Sequence, residues 1–246
     1  MGSPFNERVP LTDSWEVGKD PRVRAPVVGV IHYTAGTSLG SDIRYLESIS
    51  KDPNKSASYN AIIGNGMAVE LLDPVKHRAW HAGKSSVFHK GEIITNVNNK
   101  SVGIAISNHG YAKTKTEHCT VLAPLPGTTK LVWWEPYEEK DIIKLAMVCL
   151  WYESKLGVVL PWVGHQSISP LRKYDPGPLF PWALFHRLMR VPHTVIFAGK
   201  EDLDTTARLA RLMADVKRGS TSRSSAVLTT KIEEALAWSV YVEAGC

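Results

Sequence analysis

The stretch GHQSISPLRKYDPGP, residues 164–178, holds a histidine, a lysine and an aspartate between prolines and glycines. Proline fixes its own φ and glycine admits angles that other residues avoid, so the stretch is neither regular helix nor regular strand, and its path is heavily specified. It reads as a positioning loop. His165 and Asp175 frame it, and a third candidate, His32, follows the apolar run VVGVI. Two imidazoles and a carboxylate held on rigid backbone are what a three-ligand zinc enzyme needs, with the fourth coordination position left for water. Spacing alone leaves other readings open. A histidine after a strand is commonly just a hydrogen-bonded core or surface residue, and Lys173 beside Asp175 also reads as a solvated ion pair. Two histidines with a carboxylate describe a non-haem iron oxygenase as well.

The elements that must hold these residues are visible in the pattern around them. APVVGVIHYTAG predicts a short buried strand over 27–31, ending at His32 and breaking into a small-residue turn. SDIRYLESISK follows with Ile43, Leu46 and Ile49 at helical spacing. SYNAIIGNGMAVELL sets Asn65-Gly66 between two apolar runs, a strong hairpin signal, with Tyr59 and Asn60 at its start. SVGIAIS, 101–107, predicts another strand. The run 137–156 carries Ile142, Leu145, Ala146, Cys149 and Leu150 on one helical face, with Gly157 as its stop. Residues 108–135, with PLPG and WWEP, read as a long loop or small hairpin, and FPWALFHRLMR as a helix closing the domain near 191. The order strand, helix, hairpin, strand, helix predicts an α/β (mixed α+β) fold with a central mixed sheet flanked by helices. Such helices argue against the jelly roll that usually carries the iron-oxygenase set.

Composition bounds the rest. A chain of 246 residues that is 43% hydrophobic and 22% charged can bury a sizeable core. We expect an N-terminal segment over 1–26, a catalytic domain over 27–190 and a helical C-terminal extension over 191–246. The extension shows two helical patterns, DTTARLARLMADVKR and TTKIEEALAWSVYV, joined by GSTSRSS. It carries seven Lys or Arg against seven Asp or Glu, so the net charge of +5 lies wholly in the first 199 residues, 22 against 17. That bias suits a polyanionic target, but no basic run with interleaved aromatics marks a nucleic-acid site. The three cysteines, Cys119, Cys149 and Cys246, form no CxxC pair and suit a reducing compartment. No apolar run approaches the roughly 20 residues of a membrane span, and the N-terminus lacks a secretion-signal pattern, so we expect cytoplasmic synthesis without stable membrane insertion.

IHYTAG, SYNAIIGNG, RAWHAG, SVGIAI and GHQSISPLRKYDPGPLFPW occur in that order. Together they resemble the zinc-dependent (type 2) N-acetylmuramoyl-L-alanine amidase family, which includes amidase-type phage lysozymes, cytosolic anhydromuropeptide amidases and animal peptidoglycan recognition proteins. The resemblance spans about 27–189. It implies a Zn2+ ion held by His32, His165 and Asp175, with Lys173 steadying the oxyanion and Tyr59, as in the phage branch, assisting catalysis. It also implies substrate-groove roles for Asn60, Trp80 and His81, although a tryptophan after a strand is as often core. Other branches carry a glutamate where this sequence has Ala105, so no family carboxylate is available as a general base. The implied reaction cuts the amide between N-acetylmuramic acid and L-alanine in peptidoglycan. The chain is expected to be a phage endolysin acting on the bacterial cell wall after release. The alternatives are a cytosolic muropeptide-recycling amidase and a non-catalytic peptidoglycan-binding protein, and the complete ligand set favours catalysis.

Overall fold

A computed structural model describes residues 3–8, 19–52 and 57–190. Two compact units divide the chain, Pro4–Pro181 and a second one comprising Met1–Ser3 and Trp182–Cys246. In the first unit the elements run β1 (Glu7–Arg8), β2 (Lys19–Pro21), β3 (Val28–Tyr33), α1 (Leu39–Ser50), β4 (Ala61–Gly64), β5 (Met67–Glu70), β6 (His77–Ala79), β7 (Ser86–His89) and β8 (Glu92–Thr95). A 3-10 turn (Val97–Lys100) leads into β9 (Ser101–Ile106), followed by β10 (Tyr111–Ala112), β11 (Val121–Pro124), β12 (Leu131–Trp134), α2 (Glu139–Leu156), β13 (Trp162–Gly164) and the short α3 (His165–Ile168). The second unit contributes α4 (Trp182–Arg190), so the helix expected to close the domain is grouped with the residues after it. The two helical patterns expected beyond 191 lie outside the described residues.

Six strands form the main sheet in the order β1-β5-β4-β9-β3-β13. Only β4 and β5 pair antiparallel, through the Asn65-Gly66 turn, where φ is 53° and 72°. Positive φ at both positions is what this residue pair tolerates and most others resist. The remaining neighbours are parallel. Parallel strands are covered on both faces, and β3 and β9 are correspondingly buried along their lengths.

Alternation sends Ile62 and Ala105 to one face, where Leu39, Leu46 and Ile49 of α1 pack against them. Ile31, Ile63 and Ile104 point to the other, the side of α2. Each helix has its boundary chemistry. Ser38 caps α1 in a reciprocal pair with Ser41, and Gly157 ends α2 at φ 66°. The sequence pattern placed His32 after its strand. In the fold β3 runs on to Tyr33, because His32 and Tyr33 pair with Ala105 and Ile106 of β9.

Residues 108–135, expected as a loop or small hairpin, form a second sheet of order β10-β12-β11. Its strands are two to four residues long, too short to leave a period in the sequence. Trp134 anchors it, packing with Leu125 and Val132 and meeting the Tyr33 and Tyr111 rings at 6.5 and 5.2 Å.

Candidate active site and metal centre

Three chain segments converge at the C-terminal edge of the main sheet. β3 supplies His32; β13, paired with β3 through Gly164 and Ile31, delivers His165 at the start of α3; and the loop after α3 returns Asp175. That return is fixed by the backbone N–H of Gln166 donating to the Asp175 carbonyl at 2.9 Å. His32 and His165 each place Nδ1 on one carboxylate oxygen, Asp175 Oδ2, at 2.7 and 3.0 Å. The three side chains offer ligand atoms within 4.8 Å of one another. All three are buried.

The partners of the outer nitrogens suit one set of tautomers, with the protons on the far side of each imidazole from Asp175. His165 Nε2 lies 3.1 Å from the Ala82 carbonyl, which only accepts, so Nε2 is the protonated atom and Nδ1 presents a lone pair. The Ser101 hydroxyl donates to the Val97 carbonyl at 2.6 Å and so accepts from His81 Nε2–H at 2.9 Å. His81 Nδ1 is then the acceptor for His32 Nε2–H, also at 2.9 Å. His32 Nδ1 is left, like that of His165, as a lone pair. Burial is the first cause holding His81 well below the ordinary histidine range, so it stays neutral in this relay. Burial likewise drives His32 down to about 4, against the pull of Asp175. Asp175 would rise by burial alone, but without a metal the His165 and then the His32 imidazole can turn an Nδ1 proton onto it, which holds it well below the usual carboxylate range.

With the protons on the outer nitrogens, two bare lone pairs face an anionic oxygen at hydrogen-bond distance. That arrangement is repulsive unless a cation joins it. Two neutral imidazoles and one carboxylate, with their outer nitrogens tied to fixed partners, fit a divalent ion of zinc's class.

Above the trio lies a cleft of about 820 Å3. Tyr59, Trp80, His81, Lys173 and Asp175 all line it. The Tyr59 ring lies 5.1 Å from His32, and burial above all raises its hydroxyl pKa, which keeps the phenol protonated. Ala105 pairs directly with His32, so a longer side chain there would share their face; the methyl leaves that space to the Tyr59 side of the core. Trp80 is held by its indole N–H donating to Asp20 at 2.6 Å, with part of the ring in the cleft. Lys173 is exposed on the rim.

The structure puts Asn60 elsewhere. It is fully buried, its amide donates to the Leu72 carbonyl and accepts from Gly103 N–H, and it braces β9 rather than facing the cleft. His81 touches the cleft, but both its nitrogens are committed behind His32. Gly103 makes this possible, because a Cβ there would sit 2.4 Å from the His81 ring.

Sequence reasoning missed Ser101, Asn98 and Arg172. Asn98 Oδ1 receives the backbone N–H groups of His81 and Ala82 at 3.1 and 2.7 Å. Arg172 clamps the carbonyls of Ala82 and Lys84 at 3.0 and 2.7 Å. Their one sequence signal is their place in or beside the recognised motifs: Asn98 lies just before SVGIAI, Ser101 opens it, and Arg172 sits within the last motif, before Lys173.

Residues 22–178 match the family model described as N-acetylmuramoyl-L-alanine amidase, which takes in every residue of the trio. The chain belongs to this amidase family. The amidase AmiD of Escherichia coli (strain K12) is 30% identical over 227 residues, covering 82% of this chain and 71% of AmiD. The 1,6-anhydro-N-acetylmuramyl-L-alanine amidase AmpD of Enterobacter cloacae is 30% identical over 126 residues, 51% of this chain and 52% of that protein. Among solved structures, a selenomethionine derivative of AmpD superposes with a TM-score of 0.50 at 26% identity, covering 70% of this chain and 89% of that one. The amidase architecture is thus shared, mixed sheet and flanking helices included.

Proposed function

We propose that this chain is a zinc-dependent N-acetylmuramoyl-L-alanine amidase, hydrolysing the amide between the lactyl group of N-acetylmuramic acid and L-alanine. One observation carries the reading: two imidazole Nδ1 atoms and a carboxylate oxygen meet at the floor of a cleft, in a domain of that family. His32, His165 and Asp175 would hold the ion. Zinc held there would supply Lewis-acid chemistry, polarising the scissile carbonyl and lowering the pKa of a bound water to about 7.

The remaining work falls to side chains on the page. The Lys173 ammonium, on the rim, meets the negative charge that develops on the carbonyl oxygen. The Tyr59 hydroxyl, protonated at rest, gives its proton to the departing amine of L-alanine and is reprotonated by the proton that the attacking water releases. Among the described residues that line the cleft, Asp175 is the only carboxylate, which supports the relay through Tyr59 rather than a glutamate base. Trp80 offers a fixed apolar wall, while Lys113 and Arg172 add positive charge suited to the carboxylates of a stem peptide.

Two roles share this chemistry and differ in substrate size. Tyr59 and Ala105 support the endolysin role, on intact wall; the name of the Enterobacter cloacae relative supports a soluble anhydromuropeptide as substrate. Among the described residues no helix is long and apolar enough to cross a membrane. Mass spectrometry of digests decides the reaction and the role together. Zinc-loaded protein should release stem peptides with new L-alanine amino termini, and the relative rates on sacculi and on soluble muropeptide separate the two roles. Release from neither substrate would leave a binding protein and overturn the amidase reading.

A further inference from the structure

A second set of ligand-type side chains gathers on the small sheet. His109 lies just before β10, His118 in the connection from β10 to β11, and Glu135 just after β12. Pairing of Tyr111 with Trp134 brings the first and last of these side by side, and Glu135 N–H donates to the Gly110 carbonyl at 2.9 Å. The Glu135 carboxylate then spans both imidazoles: Oε2 is 2.9 Å from His109 Nδ1 and Oε1 is 3.7 Å from His118 Nδ1. The two rings stack, with centroids 4.2 Å apart and planes 17° from parallel; both Nδ1 atoms face the Glu135 carboxylate, and a shared ion requires the 45% exposed His118 ring to turn out of the stack. One donor atom from each residue falls within 4.8 Å of the others.

We propose that His109, His118 and Glu135 form a second divalent-metal site, of the zinc class, on the wall of the cleft. An ion about 2.0–2.2 Å from tetrahedral donors spaces those donors about 3.3–3.6 Å apart; His109 Nδ1 is 2.9 Å from Oε2 and His118 Nδ1 3.7 Å from Oε1, so small side-chain shifts bring one oxygen and both nitrogens to that spacing. The donor set also selects the ion. Two imidazoles with one carboxylate suit zinc, nickel or copper(II), whereas calcium and magnesium take oxygen ligands. The side chains are 20–45% exposed, which leaves room for solvent to complete the coordination and for an ion to enter. The consequence is mechanical. Such an ion ties together three connections at one end of the small sheet, and these carry Tyr111 and Lys113, which line the cleft with His109 itself.

The test uses the full chain, dialysed against buffered micromolar zinc, with metal counted per chain. Wild type should hold two ions, and the His118→Ala and Glu135→Gln proteins one fewer, with circular dichroism verifying that each variant is folded. Amide exchange over 109–120 should slow about 100-fold when free zinc stands at 100 times its Kd, in wild type and not in His118→Ala. Two ions retained in His118→Ala would put the extra ion elsewhere and overturn the site. So would a wild-type count of one that His118→Ala leaves at one. A single ion lost on His118→Ala would uphold this site and remove the buried one, which keeps the two assignments separable.

Discussion

The buried trio and the rim trio use the same side-chain types, two imidazoles and a carboxylate, in unlike settings. His32, His165 and Asp175 are 1%, 2% and 7% exposed, whereas the rim side chains of His109, His118 and Glu135 are 25%, 45% and 20% exposed. The larger difference lies behind the ligands. Each buried imidazole has its outer nitrogen tied to a partner that sets its tautomer, the Ala82 carbonyl for His165 and the His81–Ser101–Val97 chain for His32. On the rim, His118 Nε2 lies 3.2 Å from Glu117, an 85% exposed carboxylate that solvent screens. Outer partners of this kind are what hold a catalytic centre's donor atoms in place, and the buried trio has them where the rim trio does not.

The comparison predicts a ranking of effects. Removing a deep ligand should be most severe: His165→Ala protein should lose the buried ion and fall to background hydrolysis, and wild-type turnover in that variant would end the metal assignment. Next, Lys173→Ala should keep its metal and lose about 10²-fold or more in kcat, the usual cost of one preorganised donor to an oxyanion. Full activity on purified muropeptide would show that Lys173 is only a rim cation. Smaller again is the effect of the supporting layer. His81→Ala leaves His32 Nε2–H without its partner and should weaken the buried ion about 10- to 100-fold, read by competition with a chelator, while the rim ion is unmoved. An unchanged affinity would mean that the relay does not aim His32.

The mildest effect is on stability. Burial sets His32 at about 4 in the folded chain, below the ordinary 6.5 of the unfolded one. Between those values the unfolded state binds more protons, so stability rises with pH and is lost as pH falls from 6.5 toward 4. Asp175, held low, adds stability above its unfolded value of 3.8, which is lost as the solution is acidified below that. Chelated protein should therefore drop about 3–5 °C in Tm per pH unit across the upper window. The slope should lessen in His32→Gln; an identical slope would detach it from this residue.

How much of this could be read beforehand follows the range of the signals. The Asn65-Gly66 turn, the α1 periodicity and the Gly157 stop are short-range, and each appears in the fold where its residues stand. The small sheet was illegible because strands of two to four residues carry no period, and with it went the pairing that brings Glu135 beside His109, 26 positions away. Asn60 was read as a groove residue because its motif neighbours the site; whether its amide faced solvent or β9 depended on where β9 lay.

Residue types and local order were thus written in the sequence: the candidate set His32, His165 and Asp175, which the fold brings together, and strands and helices able to carry it. Only the tertiary structure decided which nitrogen of each imidazole is bare. That outcome depends on long-range partners, the Ala82 carbonyl 83 positions from His165 and His81 49 positions from His32, which parallel pairing of β3 with β9 and β13 brings within reach. A tautomer is fixed by whatever lies 3 Å away in space, and distance along the chain carries no record of it.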